Sequence, residues 1–194
     1  FLVYGVRLSR RGLPRLVLPL TLLGYAAPGA VLALGFLVPL AALDHRVADA
    51  VLALSGTDPG LLLTGTAAAL VLAYMVRFFG VAQGAVDSAF GRISPSLPMA
   101  ARSLGRGAGG TLRAVYLPLM RGSVATALLV VFVDCVKELP ATLLLRPFNY
   151  DTLATRAHEQ ASLERLGDAA PAALLVMLVG LAAVALLARS NRAE

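Results

Sequence analysis

Four long apolar runs, residues 16–43, 61–86, 122–139 and 169–188, set what this chain can fold into. A helix needs about 20 apolar residues to cross the hydrocarbon core of a bilayer, and each run approaches or exceeds that length. Hydrophobic residues are 58% of the sequence and charged residues 14%, against about 25% charged in an ordinary soluble domain. Such a chain cannot cover itself with polar surface in water. In lipid, its backbone groups have to be satisfied inside helices or a closed barrel. The expected fold is all-α: a polytopic transmembrane helical bundle of about four spans, forming one domain over residues 1–194. Pro19, Gly24, Pro28 and Pro39 interrupt the first run. One helix fits there, with these residues as kink or packing sites, because neighbouring helices can satisfy a freed carbonyl.

The net charge is +6 and the isoelectric point about 10.2. Basic chains often bind nucleic acid, but here the arginines lie between the apolar runs and form no single face, so no nucleic-acid partner is expected. Segments 1–15, 87–121 and 189–194 hold eleven Arg and two acidic residues; segments 44–60 and 140–168 hold four Arg and seven acidic residues. Cytoplasmic loops carry the excess of Arg and Lys. That bias puts residues 87–121 and the C-terminus in the cytoplasm and the acidic segments outside, with lipid as the surrounding partner. Residues 1–5 read as the end of a span, and no signal peptide is legible there, so the chain is expected to be part of a longer protein.

The loop of residues 95–118 carries the densest pattern. It begins Pro95-Ser96-Leu97-Pro98-Met99-Ala100-Ala101-Arg102-Ser103-Leu104-Gly105. Ser96 can cap a helix, Pro98 fits its first turn, and Gly105 can end it. Leu97, Ala100, Ala101 and Leu104 recur at helical spacing and make one apolar face. Gly107, Gly109 and Gly110 form a bend, after which Thr111 can cap a second short helix carrying Leu112 and Val115. A short helix with a small-residue face suits docking to another protein; an amphipathic helix lying on lipid headgroups is the alternative.

This stretch resembles the EAA loop of binding-protein-dependent ABC importer permeases, whose pattern is Glu-Ala-Ala, three residues, Gly, nine residues, then Ile-x-Leu-Pro. Ala100-Ala101, Gly105 and Val115-Tyr116-Leu117-Pro118 stand in register with it; Met99 replaces the Glu and Val115 the Ile. With Ser96 as cap, Met99 would forfeit a capping box. Ala73-Tyr74-Met75-Val76-Arg77-Phe78, Lys137-Glu138-Leu139-Pro140-Ala141-Thr142 and Asp151-Thr152-Leu153-Ala154 resemble ferric-iron permeases of this class. The resemblance implies a MetI-like fold, the C-terminal half of a permease and a place in a bacterial inner (plasma) membrane. It implies that Leu97, Met99, Ala100, Ala101, Leu104, Gly105, Val115, Leu117 and Pro118 engage a dimeric ABC ATP-binding subunit. It also implies as partners an external solute-binding protein and the rest of the permease or a second half. The substrate would be ferric iron, or another small solute such as sulfate, molybdate, thiamine or a polyamine. ATP would be bound by the partner subunit, so neither a cofactor nor a catalytic residue is expected on this chain.

Arg77, Asp134, Lys137 and Glu138 lie inside apolar runs, where charge is costly and faces the bundle or a wet cavity. Asp134, Lys137 and Glu138 share a helical face at i, i+3 and i, i+4. They line a pathway or pair internally; Arg77, near the inner end of its run, pairs or snorkels to the headgroups. Gly105-x-Gly107-x-x-Gly110 matches a dinucleotide fingerprint only formally, because no strand precedes it. His45 and His158 are far apart on polar segments, and Cys135 reads as a packed apolar residue. An enzyme would need clustered His, Cys or carboxylates at one depth. An ATP-independent carrier or scaffold remains a further alternative.

Overall fold

The apolar periodicity resolves into helices that cross and recross one bundle. The computed structural model describes residues 2–9, 16 and 18–192; Arg10, Arg11 and Arg15 of the first basic segment lie outside them. The elements are α1 (Leu2–Leu8), a 3-10 turn (Leu18–Leu22), α2 (Leu23–Ala26), α3 (Gly29–Ser55), α4 (Ala67–Gly91), α5 (Ser96–Ser103), α6 (Ala108–Thr111), a π turn (Leu112–Tyr116), α7 (Leu117–Val136), α8 (Pro140–Leu145), α9 (Leu153–Ser162) and α10 (Leu166–Arg192). Four helical stretches, Gly29–Ser55, Ala67–Gly91, Ala108–Val136 and Leu166–Arg189, are long and apolar enough to cross a membrane. The all-α polytopic bundle expected from the sequence is present.

The first run is not one helix. Ala27 is extended (φ −69°, ψ 138°), as the residue before a proline is pushed out of the α region. Pro28 follows with ψ 137°, and helix resumes only at Gly29. Residues 18–26 pack along the basic-end half of α4. A β-carbon on Gly24 would stand 2.3 Å from the Val76 carbonyl oxygen, and one on Gly80 2.9 Å from that of Thr21. Thr21 Oγ1 also donates to Gln83 Oε1. The Ala27–Pro28 break therefore lies at the height of Arg77, about 15 Å from the Ala67 end of α4 at 1.5 Å per residue. Arg77 thus sits mid-span, not near the inner end.

Other boundaries also move. Residue 44 was expected to open an external loop, yet α3 continues past it to Ser55 and ends at Gly56 in the left-handed region (φ 69°). Asp44 faces inward, 1% exposed, and accepts backbone N–H bonds from Leu62, Leu63 and Thr64. It satisfies the turn before α4, which is why a charged residue is held inside this helix. The third crossing begins at Ala108, within the expected loop, because Gly107, not Thr111, takes the N-cap position. Segment 140–168, expected as a loop, holds α8 and α9. Thr152 and Thr155 form a reciprocal capping box at the start of α9, which turns back onto α10.

The close approach at Gly24 yields a sharp test. Gly24→Ala should lower the yield of folded protein and its thermal midpoint, because the new methyl meets backbone that cannot rotate away. Gly35→Ala, which meets nothing within 4 Å on α3, should leave both unchanged or slightly raised. Thermal unfolding in detergent, compared for the two variants, checks this.

Candidate functional site

Helix α5 is held at the basic end by one face and left open on the other. Pro98 and Ala101 are buried, turned toward α6 and the π turn. Leu97, Met99 and Leu104 are 46%, 61% and 83% exposed, and Ala100 is exposed beside them. The four-residue face read from the sequence is therefore split: Ala101 anchors the helix, and Met99 joins the outward set. Gly105 has φ 78°. Its N–H reaches the Arg102 carbonyl at 2.9 Å, and the Arg106 N–H reaches the Ala101 carbonyl at 3.1 Å. These two bonds are a Schellman ending, which needs a left-handed residue and hence glycine.

Ser96 does not cap α5. Pro95 holds the N-cap position without a side-chain bond, and Ser96 Oγ instead pairs with Ser94 Oγ at 2.8 Å. Met99 is therefore the fourth helical residue, so the forfeited capping box lapses. Thr111 is the buried last residue of α6, not a cap. Val115, Leu117 and Pro118 belong to the helix that becomes the third crossing. Pro118 lacks an N–H and its ring crowds the carbonyl four residues back. The wider π turn at Leu112–Tyr116 lies just before it and lets the helix pass that point.

Beneath α5, the end of α4 meets α1 and the π turn. Val3, Tyr4, Ala89, Phe90, Leu112 and Met120 form a buried cluster. The Tyr4 and Phe90 rings stack at 5.8 Å, and Tyr116 meets Phe90 at 4.8 Å. Tyr4 Oη donates to the Ala108 carbonyl at 2.8 Å, tying α1 to the start of α6. Arg7 bonds the Asp87 carboxylate at 2.7 Å and lies over the Phe90 ring.

The intramembrane charges sort into two pairs. Arg77 Nε donates to Glu138 Oε2 at 3.0 Å, and Arg77 Nη1 donates to the Ala27 carbonyl at 2.8 Å. Glu138 Oε1 also accepts the Ala141 N–H at 3.2 Å, at the start of α8. The second pair is Lys137 Nζ with Asp134 Oδ1 at 2.8 Å. Glu138 therefore belongs to Arg77 and does not share Lys137 with Asp134. Nearby, Tyr74 and Thr142 hydroxyls are bonded to each other. Gly29 admits this arrangement: a β-carbon there would stand 2.6 Å from Glu138 Oε1. Among the described residues, no group of three His, Cys, Asp or Glu could hold a metal ion.

Sequence reasoning missed the Ala27 carbonyl, Gly29, Asp44 and the Tyr4 anchor. The adjacent Pro28-Gly29 was a readable sign of a break. Asp44 and Tyr4 had no such sign, since their partners are 18 or more positions away.

No protein-family model matches the chain. It is similar to the Fe(3+)-transport system permease protein FbpB 2 of Haemophilus influenzae, with 31% identity over 109 residues. That stretch is 56% of this chain and 22% of the length of that relative.

The Arg77–Glu138 pair is 15% and 8% exposed. Removing one member of a buried pair typically costs about 3–5 kcal/mol, because the other charge is left uncompensated. Glu138→Gln should therefore lower stability by an amount of that order. Arg77→Met/Glu138→Gln should recover part of it, less what the uncovered Ala27 carbonyl costs. Unfolding of the wild type, Arg77→Met, Glu138→Gln and the double variant in detergent measures the coupling.

Proposed function

We propose that this chain is a membrane-spanning part of the permease of a binding-protein-dependent ABC importer, with residues 95–118 as its coupling segment to a separate ATPase. The observation that carries the reading is the exposed apolar face of α5, Leu97, Met99, Ala100 and Leu104, on a helix pinned from behind and stopped at Gly105. A face of this kind at the basic end of a membrane bundle is a docking surface for protein, and its spacing is that of the EAA loop. The basic end is then cytoplasmic, by the arginine bias. The partners are a dimeric ATP-binding subunit, an external solute-binding protein and the remainder of the permease. ATP stays on the partner, and this chain contributes movement between two packings of similar energy. The name of the relative supports ferric iron as the transported solute.

Leu104→Asp in the assembled transporter should weaken association with the ATPase subunit by roughly tenfold or more, since burying a leucine is worth about 1.5–3 kcal/mol. Membrane abundance should stay normal. Undiminished co-purification and uptake would remove α5 from the coupling role. Gly105→Val should act the same way, through a β-branched residue forced to positive φ.

Orientation is checked with Ser103→Cys in a Cys135→Ser background. An impermeant thiol reagent should label it only after the cells are permeabilised; labelling of intact cells would reverse the topology. Uptake of radioactive ferric iron, compared with sulfate, thiamine and polyamine, decides the solute.

A further inference from the structure

The end of α4 and the start of α7 leave a groove of about 450 Å³ between them, with α5 along its edge. Arg92, Ser94 and Ser123 supply its polar wall, and Ile93, Leu97 and Leu119 its apolar one. Arg92 is exposed and donates from Nη2 to Ser123 Oγ. A guanidinium has five N–H donors. Most of them stay open here, and the Ser123 hydroxyl keeps its own proton to donate. No carboxylate answers these donors. No acidic residue lines the groove, and Asp87, the acid nearest to Arg92 in sequence, is held by Arg7.

Depth decides what suits this groove. Phe79 is the middle residue of α4, and Arg92 follows its last residue, about 20 Å from Phe79 at 1.5 Å per residue. A hydrocarbon core of about 30 Å ends about 15 Å from its centre, and the headgroup layer reaches roughly 20–22 Å. With α4 centred in the bilayer, Arg92 and Ser123 stand in the headgroup layer. Lipid phosphates are the abundant anions there, and the guanidinium fork matches their oxygens. Ile93 and Leu119 can cover the apolar part of the same molecule, which a free phosphate would leave bare. Basic pockets between crossing helices take anionic headgroups in this way.

We propose that Arg92 and Ser123 form the headgroup site of an anionic phospholipid bound between α4 and α7. The proposal needs the helices to cross a membrane; it does not need the permease reading.

Native mass spectrometry tests it on the protein purified in detergent with the subunits that accompany it. Bound lipid is counted during titration with phosphatidylglycerol or with phosphatidylcholine of the same acyl chains. Phosphatidylglycerol should bind about fivefold more tightly, the worth of one basic residue at an anionic surface. Arg92→Gln should remove that preference. Arg189→Gln, which removes an exposed arginine near the end of α10 and outside the groove, should leave it. Ser123→Leu fills the groove without changing a charge and should remove it as well. Arg92 is exposed, so Arg92→Gln decides where Ser123→Leu lowers the yield. Equal affinity for the two lipids would overturn the proposal. So would a preference that survives Arg92→Gln, or one that Arg189→Gln reduces equally, since general attraction to a basic surface would then account for it. Millimolar inorganic phosphate should not displace the lipid; displacement would make the groove a site for a free anion and overturn the proposal too.

Discussion

The Arg77 guanidinium joins two interrupted crossings to one that is continuous, and the geometry of the bundle depends on it. One arm takes the carbonyl freed where α2 stops before Pro28; another takes the carboxylate at the break between α7 and α8. An unpaired carbonyl and a lone carboxylate are each costly away from water. Arg77 answers both from the middle of α4, where its own charge would be equally costly alone. Each group is tolerable only because the others are in place, so the three stand or fall together. Gly29 is part of the same arrangement by lacking a side chain, since any β-carbon would occupy the space of the Glu138 carboxylate.

The basic end is organised by a different kind of interaction. The Arg7–Asp87 pair is more than two-fifths exposed on both sides, and exposed pairs contribute about 0–1 kcal/mol. The rings of Tyr4, Phe90 and Tyr116 matter more, because they close the space between α1, α4 and the π turn, and such ring pairs add about 0.5–1.5 kcal/mol beyond burial. Helix α5 has only eight residues, too short to be stable in isolation. Its order therefore comes from the packing of Pro98 and Ala101 on this base and from the Gly105 ending. That division leaves its outer face free without leaving the helix loose.

What the sequence disclosed follows the range of the interactions involved. The four crossings were legible because hydropathy is local, and Gly105 was legible because a left-handed helix ending is written in one residue. The height of Arg77 was misjudged because it depended on where a helix restarts, and Pro28-Gly29 was read as a kink inside one helix. Glu138 was grouped with Lys137 by helical spacing, but the helix ends at Val136. Past that point i, i+4 reasoning no longer says which side chains meet. Asp44 looked like the first residue of a polar loop. Its role inside α3 is defined by the N–H groups of residues 62–64, and no local pattern announces that. The cap of α5 was misplaced by one residue, which was enough to dissolve the argument built on Met99.

The third crossing connects the two regions mechanically. From Ala108 to Val136 it is one helical stretch of 29 residues, about 44 Å at 1.5 Å per residue. One end is bonded to Tyr4 beside α5; the other ends at Asp134, Lys137 and Glu138. Its local concession is the π turn ahead of Pro118, where the ladder of hydrogen bonds is already widened. A rod of this length passes displacement along its axis, while packed cores resist continuous deformation and yield between discrete arrangements. Movement imposed at the basic end would therefore be absorbed at the π turn or reach the far end, where Glu138 meets Arg77 and Lys137 faces outward. The far end is also where the chain is already broken in two places, so a change of packing there requires no further helix to break.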